Sequence, residues 1–341
     1  MNLSKYQCPN CEQSALRDQS NRWTCANCSK EYPCINGIPR LYLENALGQK
    51  DKELRDTFYN GLLGTYYQQL MPFLSLPARP ALANWKGWLI YFAIVFFLLA
   101  APVYLILTSL FLSFGTTAQL AVLIVYAAIV LILFKHRYLF YLLLLAVPVK
   151  LSLLLERFRP QKNFQEIHAD VIQKLAQRGE RLQLLDISTG TCNSLYRHGW
   201  MSLDADYTGL DLSETMLLQG QKLMAERNVP IELALGDATR LPFASETFDI
   251  VLNYGAVNGF TNPKLALEEM ARVAKKDALV LFLDEQLYEG ATFVERLYFR
   301  KVLSSHNVIH RCPVELLPAS LSDVNVHQVY HFYYICTAYK T

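Results

Sequence analysis

From Gln165 to the carboxy terminus, helical and strand patterns alternate, which predicts an α/β chain built on a doubly wound, Rossmann-like parallel sheet. Two further observations divide the remainder. Two Cys-x-x-Cys pairs, Cys8/Cys11 and Cys25/Cys28, predict an amino-terminal zinc ribbon. Between Trp88 and Leu155 the charged side chains are Lys135, Arg137 and Lys150 alone, which predicts a membrane region containing a transmembrane helical hairpin. The expected domains are 1–43 for the ribbon, 44–84 for a helical cover and linker, 85–158 for the membrane region and 159–341 for the α/β sheet.

Each cysteine pair belongs on a tight turn that aims two thiolates at one ion, so Cys8, Cys11, Cys25 and Cys28 are the expected ligands of a structural zinc. Cys34 is expected to pack, because four thiolates already complete a tetrahedral site. A disulfide framework would suit a secreted protein, and the rest of the chain reads as cytosolic. The text that follows the second pair, "SKEYPCINGIPRLYL", resembles the small Trm112-like zinc ribbons over residues 6–43. That resemblance implies a module placed beside a methyltransferase domain. The ribbon's sparse, mixed charges favour docking a protein partner over gripping phosphate. With 32 basic and 30 acidic residues the chain carries a formal charge of +2, which argues against nucleic acid as a partner. The polar amino terminus argues against a signal peptide.

Residues 88–114, "WLIYFAIVFFLLAAPVYLILTSLFLSF", and 118–134, "AQLAVLIVYAAIVLILF", are apolar nearly throughout. A hydrocarbon core of about 30 Å takes roughly 20 helical residues, so the first run is ample and the second sufficient. Lys86 before the pair and "KHR" (Lys135, His136, Arg137) after it put both ends in the cytoplasm. Trp85, Trp88 and Tyr138 stand where interfacial aromatics belong. Two buried core helices would need a polar outward face, and neither run has one. A third run, residues 138–158, contains Pro148 and Lys150; it reads as an interfacial helix on the cytoplasmic face, leaving the α/β domain on that side of an inner or plasma membrane.

In the α/β region "LQLLDI", "IELALGD", "FDIVLNY" and "ALVLFLD" read as strands, and "VNVHQVYHFYYICTAY" as a final antiparallel pair. Ligands of doubly wound sheets bind beyond the strands' carboxyl ends, where Asp186, Asp211, Asp237 and Asn253 with Tyr254 fall. Three carboxylates around one crevice would repel a pyrophosphate. They would welcome S-adenosylmethionine, which has no phosphate and carries a sulfonium and an ammonium. Asp186 is then placed for the loop and the methionine end, Asp211 for the ribose hydroxyls and Asp237 for the adenine amine.

The motifs agree with that chemistry. Asp186-Ile-Ser-Thr-Gly190-Thr-Cys192, "GLDLSETML" and the stretch from Gly236 to Glu285 resemble the class I S-adenosylmethionine-dependent methyltransferases, above all their quinone-biosynthesis, "type 11" branch. The resemblance covers about residues 164–290. It implies that Ser188, Gly190, Leu212, Met216, Ala238 and Asn253 join the three acids in holding S-adenosylmethionine. Ser188 and Cys192 stand where the family has the first and third glycines of its loop. Asn258 stands where many relatives have histidines, and reads as a cap or turn residue. Tyr254 is a weak catalytic candidate, balanced against simple packing over the cofactor. "LRDTFYNGLLGTYYQQLMPFL" resembles the start of the helical cover that relatives place over the site. A membrane insertion there would hold the pocket mouth against the bilayer, so the expected acceptor is lipophilic: a quinone precursor, isoprenoid or lipid. Two other classes stay open, an RNA methyltransferase that grips RNA through its ribbon and an inactive membrane scaffold.

Overall fold

The computed structural model describes residues 3–19, 21–65, 123–128, 131, 164–329 and 332–341. The expected hairpin and the third apolar run lie outside these, save for helical residues 123–128 and 131. Among the described residues no helix is long and apolar enough to cross a membrane. The chain forms two compact units, one of Met1–Tyr67, Gln161–Glu289 and His306–Thr341, the other of Gln68–Pro160 and Gly290–Ser305.

In the first unit the strands are β1 (Leu16–Asp18), β2 (Arg22–Cys25), β3 (Glu31–Ile35), β4 (Ile38–Leu41), β5 (Leu182–Ile187), β6 (Ala205–Asp211), β7 (Ile231–Gly236), β8 (Phe248–Tyr254), β9 (Ala274–Glu285), β10 (Leu321–Val329) and β11 (Tyr333–Lys340). They make one sheet in the order β1-β2-β3-β4-β7-β6-β5-β8-β9-β11-β10. From β4 to β9 every pairing is parallel, and β11 returns antiparallel between β9 and β10. Strand order reverses between β5 and β8, which fixes the crevice at their carboxyl ends. β5 is apolar on both faces because helices cover both: Leu184, Leu185 and Ile187 are fully buried, each contributing about 1.5–3 kcal/mol of apolar burial.

The helices that position the site begin where the sequence supplies caps. Glu214–Glu226 starts at Ser213, whose hydroxyl accepts from Met216 N. Pro263–Val273 starts at Asn262, whose side chain accepts from Leu265 N, with proline at the first turn. Phe164–Ala176 precedes β5, and the short helix Asn193–Arg197 leaves the loop after it.

The amino-terminal strands are continuous with the α/β sheet, since β4 pairs in parallel with β7 (Arg40 with Leu235, Leu41 with Gly236). Lys5 reinforces the joint: its Nζ lies 2.7 Å from Thr208 Oγ1 and 2.8 Å from Glu232 Oε2, and only 6 % of the side chain is exposed. Tyr6 bridges to Phe243, Gln7 N donates to Pro242 O, and Ala244 N donates to Lys5 O. A short ribbon with a thin core of its own thereby borrows the core of its neighbour. Lys5→Ala removes the cation from Glu232, which still accepts from Tyr6 Oη, and the donor from Thr208, and should cost about 1–3 kcal/mol in urea unfolding of the full chain. Unchanged stability would show the ribbon to be held by its strands alone.

In the second unit, Phe293–Tyr298 is helical and continues as a wider turn over Phe299–Leu303. Thr292 and Glu295 close a capping box at its start.

Candidate functional site

β5 delivers Asp186 to the crevice and then gives way to the loop 188–192. Ser188, Gly190 and Cys192 all hold left-handed backbone, at φ 56°, 55° and 58°. These are the three positions at which the resembled motif has glycine. The turn is therefore preserved although two of its residues carry side chains, at a cost of roughly 1 kcal/mol for each non-glycine. The loop packs tightly against helix Glu214–Glu226. A Cβ on Gly220 would meet Cys192 Sγ at 2.9 Å and the Thr191 carbonyl carbon at 3.1 Å, so a glycine is required at that contact.

Asp186 is 1 % exposed, and Thr189 Oγ1 donates to its Oδ2 at 2.6 Å. Its Oδ1 is buried with no partner. Burial pushes this carboxyl up to about 7. Asp211, at the end of β6, accepts from Gly190 N through Oδ2 and from Ser213 N through Oδ1, both at 2.8 Å. It thus builds the loop as well as facing the crevice, a role the sequence reading did not give it. Asp237 follows β7 and accepts from the amide and the hydroxyl of Thr239, both at 2.8 Å on Oδ1. Burial raises Asp211 and Asp237 as well. Among the described residues none of the three carboxylates has a salt-bridge partner. Three desolvated acids, of which Asp237 alone feels a cation, the more distant Arg240, make a hollow suited to a cation and hostile to phosphate.

The other expected cofactor residues fall into two groups. Met216 is buried against the loop, its Cε 3.2 Å from where a Cβ on Gly190 would stand, and Leu212 and Ala238 follow Asp211 and Asp237 directly. Asn253 is fully buried; its Nδ2 donates to Ile187 O at 3.0 Å and its Oδ1 accepts from Ala256 N, so it braces the strand ends from behind. Asn258 is a buried hub: its amide nitrogen donates to Asp284 Oδ2, its Nδ2 to Glu285 O, and its Oδ1 accepts from Tyr334. That extends its expected turn role into a tie among the ends of β8 and β9, and strand β11.

Tyr254 is more constrained than a residue merely packed on a cofactor. His168 Nδ1 lies 2.7 Å from Phe164 O, an acceptor, so Nδ1 carries the proton and Nε2 accepts from the Tyr254 hydroxyl at 2.8 Å. Trp200 Nε1 donates to the same phenolic oxygen. Burial lowers His168 to about 4, so the imidazole is neutral near pH 7 and the order of donors is fixed. His198 stacks on His168 and packs against Tyr254, with ring centroids 4.9 Å away in each case. His168 and Trp200 lie far from Tyr254 in sequence, and only their shared burial reveals the set.

The cover residues reach the crevice from both sides. Asn60 Oδ1 accepts from Ser213 Oγ at 2.7 Å and from Thr215 N at 3.3 Å, and Gln219 Nε2 donates to Gly64 O. Across the mouth, Thr261 N donates to Asp51 Oδ1, and Phe58 packs against His306.

Cys8, Cys11, Cys25 and Cys28 come together as expected, their sulfurs all within 4.8 Å of one another, and all are free thiols. The Cys8–Cys28 and Cys11–Cys25 separations are both 3.6 Å, close to the edge of about 3.8 Å that metal–sulfur bonds of about 2.3 Å give a tetrahedron. The two knuckles repeat one geometry. Glu12 N donates to Cys8 O and Ser29 N to Cys25 O, and both residues are left-handed. Tyr32 Oη lies 3.0 Å from Cys8 Sγ and Asn10 Nδ2 lies 3.5 Å from Cys28 Sγ, outer donors of the kind that support thiolate ligands. The cluster is compatible with zinc. Arg240, three residues after Asp237, sends Nη1 to Pro9 O, so the metal knuckle and the third acid's loop are in contact.

Residues 171–282 match the family described as a methyltransferase domain. A ubiquinone/menaquinone biosynthesis C-methyltransferase from Cereibacter sphaeroides is 33% identical over 107 residues, covering 30% of this chain and 42% of that protein. A demethylmenaquinone methyltransferase from Alkalihalophilus pseudofirmus is 31% identical, with 35% and 52% covered. A phosphatidylethanolamine N-methyltransferase from Cereibacter sphaeroides is 33% identical, with 31% and 51% covered. The chain spans about half the length of the curated relatives it matches. Among solved structures, the PH0226 protein from Pyrococcus horikoshii overlaps 53% of this chain and 94% of its own at 18% identity and a TM-score of 0.40, too partial an overlap to carry a functional argument.

Ser188→Gly should relieve the left-handed strain; allowing for glycine's greater freedom when unfolded, a net gain of up to about 0.5 kcal/mol is expected in thermal unfolding. A fall in the transition temperature would mean that the serine side chain is needed. Supplied with zinc, the full chain should take up one equivalent and Cys8→Ser should not; a full metal equivalent in that variant would refute the ligand set.

Proposed function

We propose that this chain is an S-adenosylmethionine-dependent methyltransferase, anchored to a membrane through its apolar middle, that methylates a lipophilic acceptor: a quinone precursor, an isoprenoid or a lipid. The observation that carries the reading is the set of three carboxylates without a salt bridge, Asp186 and Asp237 buried and Asp211 half-buried, gathered around a left-handed loop at the reversal of strand order. The methyltransferase domain over residues 171–282 supports it independently.

Bound S-adenosylmethionine supplies a methyl group on a sulfonium, already activated for displacement. Asp186 is the residue for its ammonium, because Oδ1 is the buried acceptor left without a donor. Asp211 is half-buried and both its oxygens, though held by backbone N–H groups, have acceptor capacity for ribose hydroxyls. Asp237 has Oδ2 to spare for an amine. The remaining task is alignment and exclusion of water, which the cover of residues 49–65 serves by closing across the loop. Tyr254, held rigid by His168 and Trp200, forms a fixed wall at the end of β8. The zinc ribbon acts as structure, bracing the Asp237 loop through Arg240 and Pro9.

The lipophilic acceptor rests on the apolar runs at 88–114 and 118–134, and on the kinds of methyltransferase that resemble the domain. Comparing methylated lipids and quinones with methylated RNA nucleosides between deletion and wild-type cells tests it. A missing lipid-soluble product supports the reading, and a missing RNA nucleoside alone refutes it.

Cofactor binding should also depend on pH. Below about pH 4 the Asp186 carboxyl is protonated whether the chain is folded or not. Between there and its folded value of about 7 the native state alone keeps the proton, so native stability falls as pH rises through that window. An ammonium ligand needs the ionised form. Calorimetric affinity for S-adenosylmethionine should therefore rise with pH, by at most about tenfold per unit for the one proton released at Asp186, and level off above about pH 8. Affinity that is flat across this range would remove Asp186 from the ammonium site.

A further inference from the structure

The segment Gly290–Ser305 belongs to the same compact unit as Gln68–Pro160, which contains the apolar sequence. Its helix has two distinct faces. Glu295, Tyr298, Phe299 and Val302 are buried, and Glu295 is occupied within the capping box, accepting from the Thr292 amide and hydroxyl. The opposite face is unusual for a water-facing surface. Phe293 is 79% exposed and Val294 38%. Arg296 and Arg300 follow Phe293 at the i+3 and i+7 positions of one stripe, and both are exposed, as is Lys301.

An exposed aromatic ring beside a row of cations is the pattern of a helix lying in a lipid interface. The ring enters the acyl boundary, and the long basic side chains run up to the headgroups. The charge matches: residues 290–305 hold three cations against the single carboxylate of Glu295, and that carboxylate faces inward. In a chain whose whole formal charge is +2, this local excess selects an anionic surface.

We propose that the outward face of residues 293–301 is a docking surface for an anionic lipid bilayer, with Phe293 as the inserted anchor and Arg296, Arg300 and Lys301 as headgroup contacts. The proposal rests on the membrane reading above and deepens it. It adds a lipid contact distant in sequence from the apolar runs and connected through residues 286–289 to the carboxyl end of β9, the end tied to Asn258. A second attachment of that kind restrains rotation of the domain on the membrane, which a lone hairpin does not.

The test uses the full chain reconstituted into vesicles of phosphatidylcholine and phosphatidylglycerol, comparing Phe293→Trp with the unaltered protein so that the added emission is isolated. The introduced indole should emit to the blue of its position in water and be quenched about twofold or more by acyl-brominated lipids. Adding Arg300→Glu and Lys301→Glu, or omitting phosphatidylglycerol, should cut the quenching by roughly half or more. An introduced indole that emits as in water and escapes quenching overturns the docking surface. Equal quenching with and without the anionic lipid overturns its charge assignment. S-adenosylmethionine binding by the same preparation is read separately, so failure of the enzyme reading leaves a different signature from failure of the surface.

Discussion

Electrostatic crowding at the end of a parallel sheet is the constraint on which the rest depends. Asp186, Asp211 and Asp237 are carried there by three adjacent strands, and burial raises all three toward their neutral forms. A fold normally removes buried acids or pairs them, because an uncompensated charge inside a protein costs several kcal/mol. Here they are kept, and each is partly satisfied by backbone amides or threonine hydroxyls. What they lack, among the described residues, is a direct ion pair. That deficit gives the crevice its selectivity, because it makes the empty hollow unfavourable and a cationic occupant a relief.

Much of the surrounding structure keeps those acids in place. The loop 188–192 accepts left-handed strain at two non-glycine residues so that Gly190 N can reach Asp211. Asn253 ties the end of β8 to that of β5, and Asn258 ties the following turn to β9. The ribbon extends the same sheet through β4 and touches the Asp237 loop through Arg240. A single hydrogen-bonded frame therefore runs from the cysteine cluster to the crevice. The Arg240 side chain, donating to Pro9 O, joins the first cysteine knuckle to the loop of the third acid.

The strands were legible because their ends announce themselves: "LQLLDI" and "FDIVLNY" are apolar runs closed by a polar residue, and β5 and β8 end within one residue of the polar groups so marked. The cluster of four cysteines was legible from local spacing. Three things were not. The left-handed backbone at Ser188 and Cys192 was hidden because neither residue advertises it, and only the positions of the missing glycines pointed there. The role of Asp211 in building the loop depends on a bond across the sheet. The Trp200–Tyr254–His168 chain joins three elements, so no local pattern encodes it; the one hint was a histidine on the inner face of an otherwise regular helix. The expected membrane hairpin falls outside the described residues, and its support remains the sequence.

The most direct measurement is a calorimetric competition in the full, zinc-loaded chain between S-adenosylmethionine and a phosphate-bearing dinucleotide such as NAD. If uncompensated carboxylates govern the crevice, the sulfonium compound binds and the dinucleotide neither binds nor displaces it. Binding of the dinucleotide with equal or greater affinity would contradict the account, because no arrangement of these three acids favours a pyrophosphate over a cation.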